Sequence, residues 1–357
     1  IAVGNMEKSL PQVVSALKTN TSMKYQFLVT LREVILRYYT GDVDADFRPY
    51  LNEVLPLLLE NSQSEEETVR VIVAECLGKI ASFDESSSGS VVSEIVSLSK
   101  SNNACSRWTA ATSVRQMLTA QSKPVIGLIE KNMSSLLSLL SDENLNVRRA
   151  CLLTLNSIVH HHSDIVSSRI NEALPLLFKE MAVNDALKRV VDLGPFKHKV
   201  DDGLPLRKAA FTCMATILDM LIAKVDLNAF FEPLKNGLGD VNDVQMLCHQ
   251  ILVKMSVSVP SVVGGAFDNF LKAALEKTLN KKIKDGQVGT EVERRNDVIR
   301  SALRAIDAMC QIPDMKQSRT FNNMMETIRR KDHLNSMLRI IRSDRDGNTY
   351  GMKIAKK

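Results

Sequence analysis

Residues 65–81 read Glu65-Glu-Glu-Thr-Val-Arg-Val-Ile-Val-Ala-Glu-Cys-Leu-Gly-Lys-Ile-Ala81. Here Val69-Arg70 is followed by Ala74 four residues after Arg70 and by Leu77 seven after it. Offsets of four and seven fall on one face of an α-helix, so the segment reads as a helix that buries one side. Working outward, the same figure recurs at Arg148 with Leu152 and Leu155, and at Arg207 with Phe211 and Met214. Weaker copies start at Lys24 (Leu28, Leu31), Arg107 (Ala111, Val114) and Gln245 (His249, Leu252), with a degenerate one near Arg295 (Ile299, Ala302).

These anchors are spaced by 46, 37, 41, 59, 38 and about 50 residues. A period of roughly 40 with two amphipathic helices per unit is the pattern of HEAT or armadillo repeats. The preceding helices read at 49–62, 130–142 and 228–240, each ending in polar turn residues. Asp142 and Asp240 fall in those turns, where each is expected to cap or salt-bridge the following helix; Asp142 with Arg148 would be one rung of a ladder. The expectation is an all-α fold: residues 1–313 as one right-handed HEAT-repeat superhelix, an α-solenoid of about seven helix pairs.

The 59-residue interval between Arg148 and Arg207 exceeds its neighbours, and its excess contains a stretch that does not read as helix. Val190, Val191, Asp192 and Leu193 precede Gly194-Pro195; Phe196, Lys197, His198, Lys199 and Val200 follow. Two β-prone runs around a Gly-Pro turn predict a hairpin inserted at about 188–203. A hairpin within a helical stack has no sheet to join, and its valines, Leu193 and Phe196 are too apolar for an idle solvated loop. Residues Val190 to Val200 are therefore the candidate partner-binding site, with Phe196 as its anchor.

Composition narrows the class. Hydrophobic residues make up 45% of the 357 and aromatics only 5%, which suits helices packed on helices. No apolar run approaches the roughly 20 residues needed to cross a bilayer. The chain opens without methionine and in mid-pattern, as expected of a piece of a longer protein. Lys316 to Lys357 carries 11 Lys and Arg against 4 Asp and Glu, a local +7 within a total of +5. This basic segment, 314–357, is expected to be partly helical. Charge gathered in a tail rather than striping the body gives no specific nucleic-acid site.

The six cysteines show no C-x-x-C pair; most sit among apolar residues inside helical patterns and read as buried small hydrophobes of a reduced intracellular protein. His160-His161-His162 cannot chelate one ion from one helix, because successive residues diverge, and reads as an exposed helix end. Asp201-Asp202 reads as a cap for the helix beginning at Leu204, and Gly264-Gly265 as a helix break. Met309, Met315, Met324, Met325 and Met337 read as core, and 281–290 as a mobile loop. With no nucleophile elbow, phosphate loop or metal set, the expectation is a binding scaffold, not an enzyme, without cofactor.

Val3-Gly-Asn5, residues 68–81, Asp142 to Arg149 and above all residues 191–211, with their Gly-Pro-Phe-Lys-His-Lys-Val-Asp-Asp-Gly-Leu run, resemble the C-terminal part of the cullin-associated, neddylation-dissociated proteins, also described as TATA-binding-protein-interacting proteins. The resemblance is placed from residue 1 to about Pro313. It implies a solenoid that wraps an unmodified cullin, with its RING subunit in the full-length protein, and an arc that embraces the cullin N-terminal region. It implies that the hairpin lies where substrate-receptor adaptors dock, so that adaptor–receptor modules are exchanged. TATA-binding protein is a further implied partner, and the implied location is cytoplasmic and nuclear. The competing classes are a nuclear-transport receptor, a phosphatase-type scaffold and a nucleic-acid binder acting through the basic tail.

Overall fold

Arg70, Arg107, Arg148, Arg207 and Gln245 each occupy the fourth residue of a helix in the computed structural model, so the repeat register is also a helix-start register. The structure describes residues 6–19, 23–41, 47–83, 85–118, 123–194, 196–282 and 289–354. They divide into two compact units, Ile1–Leu177 and Phe178–Lys357.

In the first unit the helices are α1 (Met6–Thr19), α2 (Lys24–Thr40), α3 (Leu51–Asn61), α4 (Glu67–Ile80), α5 (Glu85–Ser99), α6 (Ala104–Met117), α7 (Lys123–Lys131), α8 (Met133–Ser138), α9 (Leu145–His161), α10 (Ser163–Ser167) and the start of α11 (Ile170–Met181). The anchor-bearing helices α2, α4, α6 and α9 pack side by side, while α3 covers α4 and α5 covers α6. The apolar offsets explain this: Leu28, Leu31, Ala74, Leu77, Ala111, Leu152 and Leu155 are all fully buried. Val114, expected to join them, is half-buried. Asn103 and Asn144 start α6 and α9 by accepting main-chain N–H bonds at their first turns.

The second unit continues the pattern with α12 (Leu204–Leu221), α13 (Leu227–Leu238), α14 (Asn242–Ser258), α15 (Pro260–Ala266), α16 (Lys272–Leu279) and α17 (Gly289–Met309). Here α12, α14 and α17 are the side-by-side helices, with α13 against α14 and α16 against α17. Gly264 and Gly265 lie inside α15, not at a break; the irregular turn comes after them, where a π-helical stretch at Phe267–Leu271 joins α15 to α16. Of the expected loop at 281–290, residues 283–288 lie outside the described residues and 289 already begins α17.

The basic segment folds as α18 (Pro313–Gln317), α19 (Arg319–Arg330) and α20 (Asp332–Ile354), with α20 against α17. Met315, Phe321, Met324, Met325, Ile328, Leu334 and Leu338 are buried there, and Asp307 of α17 is held by Arg342 and Arg345. Met309 is buried as well, and Met337 half-buried. The histidine run closes α9, with His160 and His161 exposed. No helix among the described residues is long and apolar enough to cross a membrane.

Candidate partner-binding hairpin

The helical order is interrupted between α11 and α12. After α11 the chain makes one 3-10 turn at Asp185–Leu187, with the Asn184 side chain accepting from the Ala186 N–H. It then forms β1 (Lys188–Leu193) and β2 (Phe196–Asp201), an antiparallel pair and the only sheet among the described residues. Gly194 has φ +71°, the left-handed value that a two-residue hairpin turn of the primed type requires at its first position. Pro195 lies outside the described residues, as do the side chains of Leu193 and Phe196.

The register sorts the hairpin into two alternating sets of pairs. Lys188–Asp201, Val190–Lys199 and Asp192–Lys197 form one; Arg189–Val200, Val191–His198 and Leu193–Phe196 form the other. Since opposed residues share a side, one side carries Lys197, Lys199 and Asp192, and the other carries the more apolar positions. Val190 is 60% exposed. Asp192, Lys197, His198 and Lys199 are exposed, and Val191 and Val200 half-buried.

Polar contacts fasten the base. Lys188 Nζ donates to Asp185 at 2.7 Å and Arg189 Nε to Asp202 at 2.7 Å. The Asp202 N–H bonds the Leu187 carbonyl, and the Gly203 N–H bonds Asp201 Oδ1 at 3.0 Å. Arg207, 2% exposed, donates Nη2 to Asp201 Oδ2 at 2.8 Å and Nε to Asp240 Oδ2 at 2.6 Å. Burial opposes the guanidinium charge, but the two carboxylates outweigh it and raise its pKa. Arg207 in turn holds the Asp201 carboxyl below its usual range. Asp201 and Asp202 therefore do not cap α12, whose N-cap Gly203 has no side-chain cap. They are engaged by two arginines, which sequence order alone does not show.

The ladder also runs the other way from the expectation. Asp142 pairs with Arg107, one repeat earlier, at 2.6 and 2.9 Å; Arg148 Nη1 donates instead to main-chain carbonyls, those of Asp142 at 2.7 Å and Glu143 at 3.4 Å. Asp240 likewise pairs backward, with Arg207. A turn carboxylate faces the neighbouring repeat's helix because side-by-side stacking brings residues about one repeat apart to the same level.

This architecture defines a HEAT-repeat scaffold of side-by-side helices covered by their partners. Residues 165–329 match the family model described as TATA-binding protein interacting (TIP20), and residues 36–189 match HEAT repeats described as stalled ribosome sensor GCN1-like. A cullin-associated NEDD8-dissociated protein 1 from Arabidopsis thaliana is 37% identical over 96% of this chain and 28% of its own length. A relative from Emericella nidulans, named as the C-terminal part of such a protein, is 26% identical over 85% of this chain and 28% of its own. The yeast importin-β structure superposes with a TM-score of 0.64 at 13% identity, over 92% of this chain and 40% of that one, a likeness of fold alone.

The chain belongs to the family of cullin-associated NEDD8-dissociated proteins and is similar to their C-terminal part. It spans about a quarter of the length of the Arabidopsis relative. The similarity passes Pro313, since the family match runs to residue 329; α18 and most of α19 lie within it.

Proposed function

We propose that this chain binds the N-terminal region of an unmodified cullin and competes there with substrate-receptor adaptors, acting in the cytoplasm and nucleus as the adaptor-exchanging part of a longer protein. The observation that carries this reading is the hairpin. It is a two-stranded element with no neighbouring sheet among the described residues, exposed along Val190, Asp192 and Lys197 to Lys199, and fastened to the repeat at its base. An exposed apolar and cationic element of that kind fits a partner surface better than it fits solvent. Phe196 is the anchor in this reading, with Lys197, His198 and Lys199 around it. Contact with the cullin's RING subunit, and any binding of TATA-binding protein, would belong to the longer protein.

The test is the rate at which an adaptor–receptor module leaves an unmodified cullin in the presence of this chain. Reciprocal coupling requires that the chain accelerate adaptor release and that adaptor accelerate release of the chain. Replacing Val190–Val200 by Gly-Gly should abolish the acceleration while leaving measurable cullin affinity. Equal acceleration by both forms overturns the reading.

A further inference from the structure

Arg207 differs from its counterparts in what it meets. Arg70, Arg107 and Arg148 each send Nη1 back to main-chain carbonyls six and five residues earlier: Ser64 and Glu65, Ser101 and Asn102, Asp142 and Glu143. Arg207 makes the same backward reach, but six residues earlier it finds the Asp201 carboxylate, the last residue of β2. Its other edge forks onto Asp240, in the turn before α14. The side chains of Arg207 and Asp240 are 2% and 5% exposed.

The remaining base contacts cannot set the hairpin's direction equally well. Lys188–Asp185 and Arg189–Asp202 are surface pairs that water and salt screen. A guanidinium fork fixes angle as well as distance, and the one on Asp201, with the side chains 2% and 21% exposed, is screened less than either surface pair. Gly203 adds closeness at the same point: a Cβ there would press on Leu187, Asp201 and Arg207. Asp240, among the described residues, bonds Arg207 and the Val241 N–H, neither of them in the hairpin.

We propose that Arg207, held by Asp240, is a positioning residue for the hairpin, fixing the direction in which it leaves the repeat and tying that direction to the turn that opens α14. The clamp is a structural property of this chain; its consequence for adaptor release rests on the function proposed above. A movement of the Asp240 turn, as when a partner packs against α13 and α14, would then reach a hairpin that the partner does not touch.

The experiment uses the 357-residue chain with Asp240→Asn and, separately, Asp240→Ala. Amide hydrogen exchange is followed in 188–201 and, as an internal control, in α19. Loss of the clamp should speed hairpin exchange by about tenfold or more while α19 keeps its rates. Hairpin rates unchanged in both variants overturn the proposal, as does equal acceleration in α19, which would make Asp240 merely structural. In the adaptor-release assay Asp240→Asn should lose acceleration, as the Gly-Gly replacement does, with cullin affinity retained. Wild-type release by Asp240→Asn, beside a defective Gly-Gly form, also overturns it. If the Gly-Gly form itself releases adaptor normally, the cullin reading fails, and the exchange data alone decide the clamp.

Discussion

Arg107 reaches forward to Asp142 with both edges of its fork, Nε to Oδ2 at 2.6 Å and Nη2 to Oδ1 at 2.9 Å, and so bolts α6 to the turn before α9. The pair is nearly buried, at 11% and 6% side-chain exposure. Removing one partner of such a pair leaves a buried charge, so Arg107→Ala should destabilise the chain by about 3–5 kcal/mol. Urea denaturation of Arg107→Ala, Asp142→Ala and the double variant should give strongly non-additive losses. Additive losses would show that the two residues act separately. Burial alone would raise the Asp142 pKa, but Arg107 and the Asn144 N–H outweigh it and hold the carboxyl below its ordinary value. The pair's contribution is therefore present above the ordinary carboxylate pKa of about 4 and is lost as pH falls through the lowered value.

His249 should make the second unit acid-sensitive at a higher pH. Its ring is 1% exposed, and both nitrogens lack a hydrogen-bond partner among the described residues. Burial, assisted by the charge of Lys281, pushes its pKa down to about 3. Between that value and about 6.5 the unfolded chain binds a proton that the folded chain refuses, so stability falls as pH falls. The expected slope approaches about 1.4 kcal/mol per pH unit, and His249→Leu should remove it. Melting curves at pH 7.5 and 5.5 for both forms check this; parallel losses would exclude His249 as the source.

Gly194→Ala tests the turn. Nothing lies within 4 Å of a Cβ built there, so the substitution meets only the backbone penalty of φ +71°. A left-handed alanine costs about 1–2 kcal/mol. The hairpin amides should exchange faster while the global melting temperature stays near wild type, because none of the described side chains of the hairpin is buried. A large fall in melting temperature would mean the hairpin carries part of the fold.

Gly237→Ala should fail for the opposite reason. Gly237 in α13 faces both α12 and α14 at close range, and an added methyl would overlap the Phe211 ring of α12 and Cys248 Sγ of α14. Overpacking of this kind costs about 1–3 kcal/mol. Chemical denaturation of the variant should show that loss, and Phe211→Leu in the same chain should recover part of it.

The repeat was legible because its signal is local. Arg70, Arg107, Arg148 and Arg207 each precede an apolar pair at fixed offsets, and those pairs are buried with the half exception of Val114. The hairpin was legible from Gly194 and the two β-prone runs beside it, and its bounds fell within a few residues of β1 and β2. What sequence order hid were relations across the stack. Asp142 is nearer in sequence to Arg148 but nearer in space to Arg107, and Asp201 looks like a cap until Arg207 folds back onto it. The buried state of His249 was implicit in its place four residues after Gln245, yet the charge of Lys281 that helps to lower its pKa arrives from a distant part of the chain.

Lys188 and Asp201 stand directly opposite each other at the foot of the hairpin. The hairpin thus begins and ends at a single place, with its last residue gripped by α12. Such a site is a port: other loops or binding epitopes of any length that close on the same two residues can be grafted there, with Arg207 left in place as the socket.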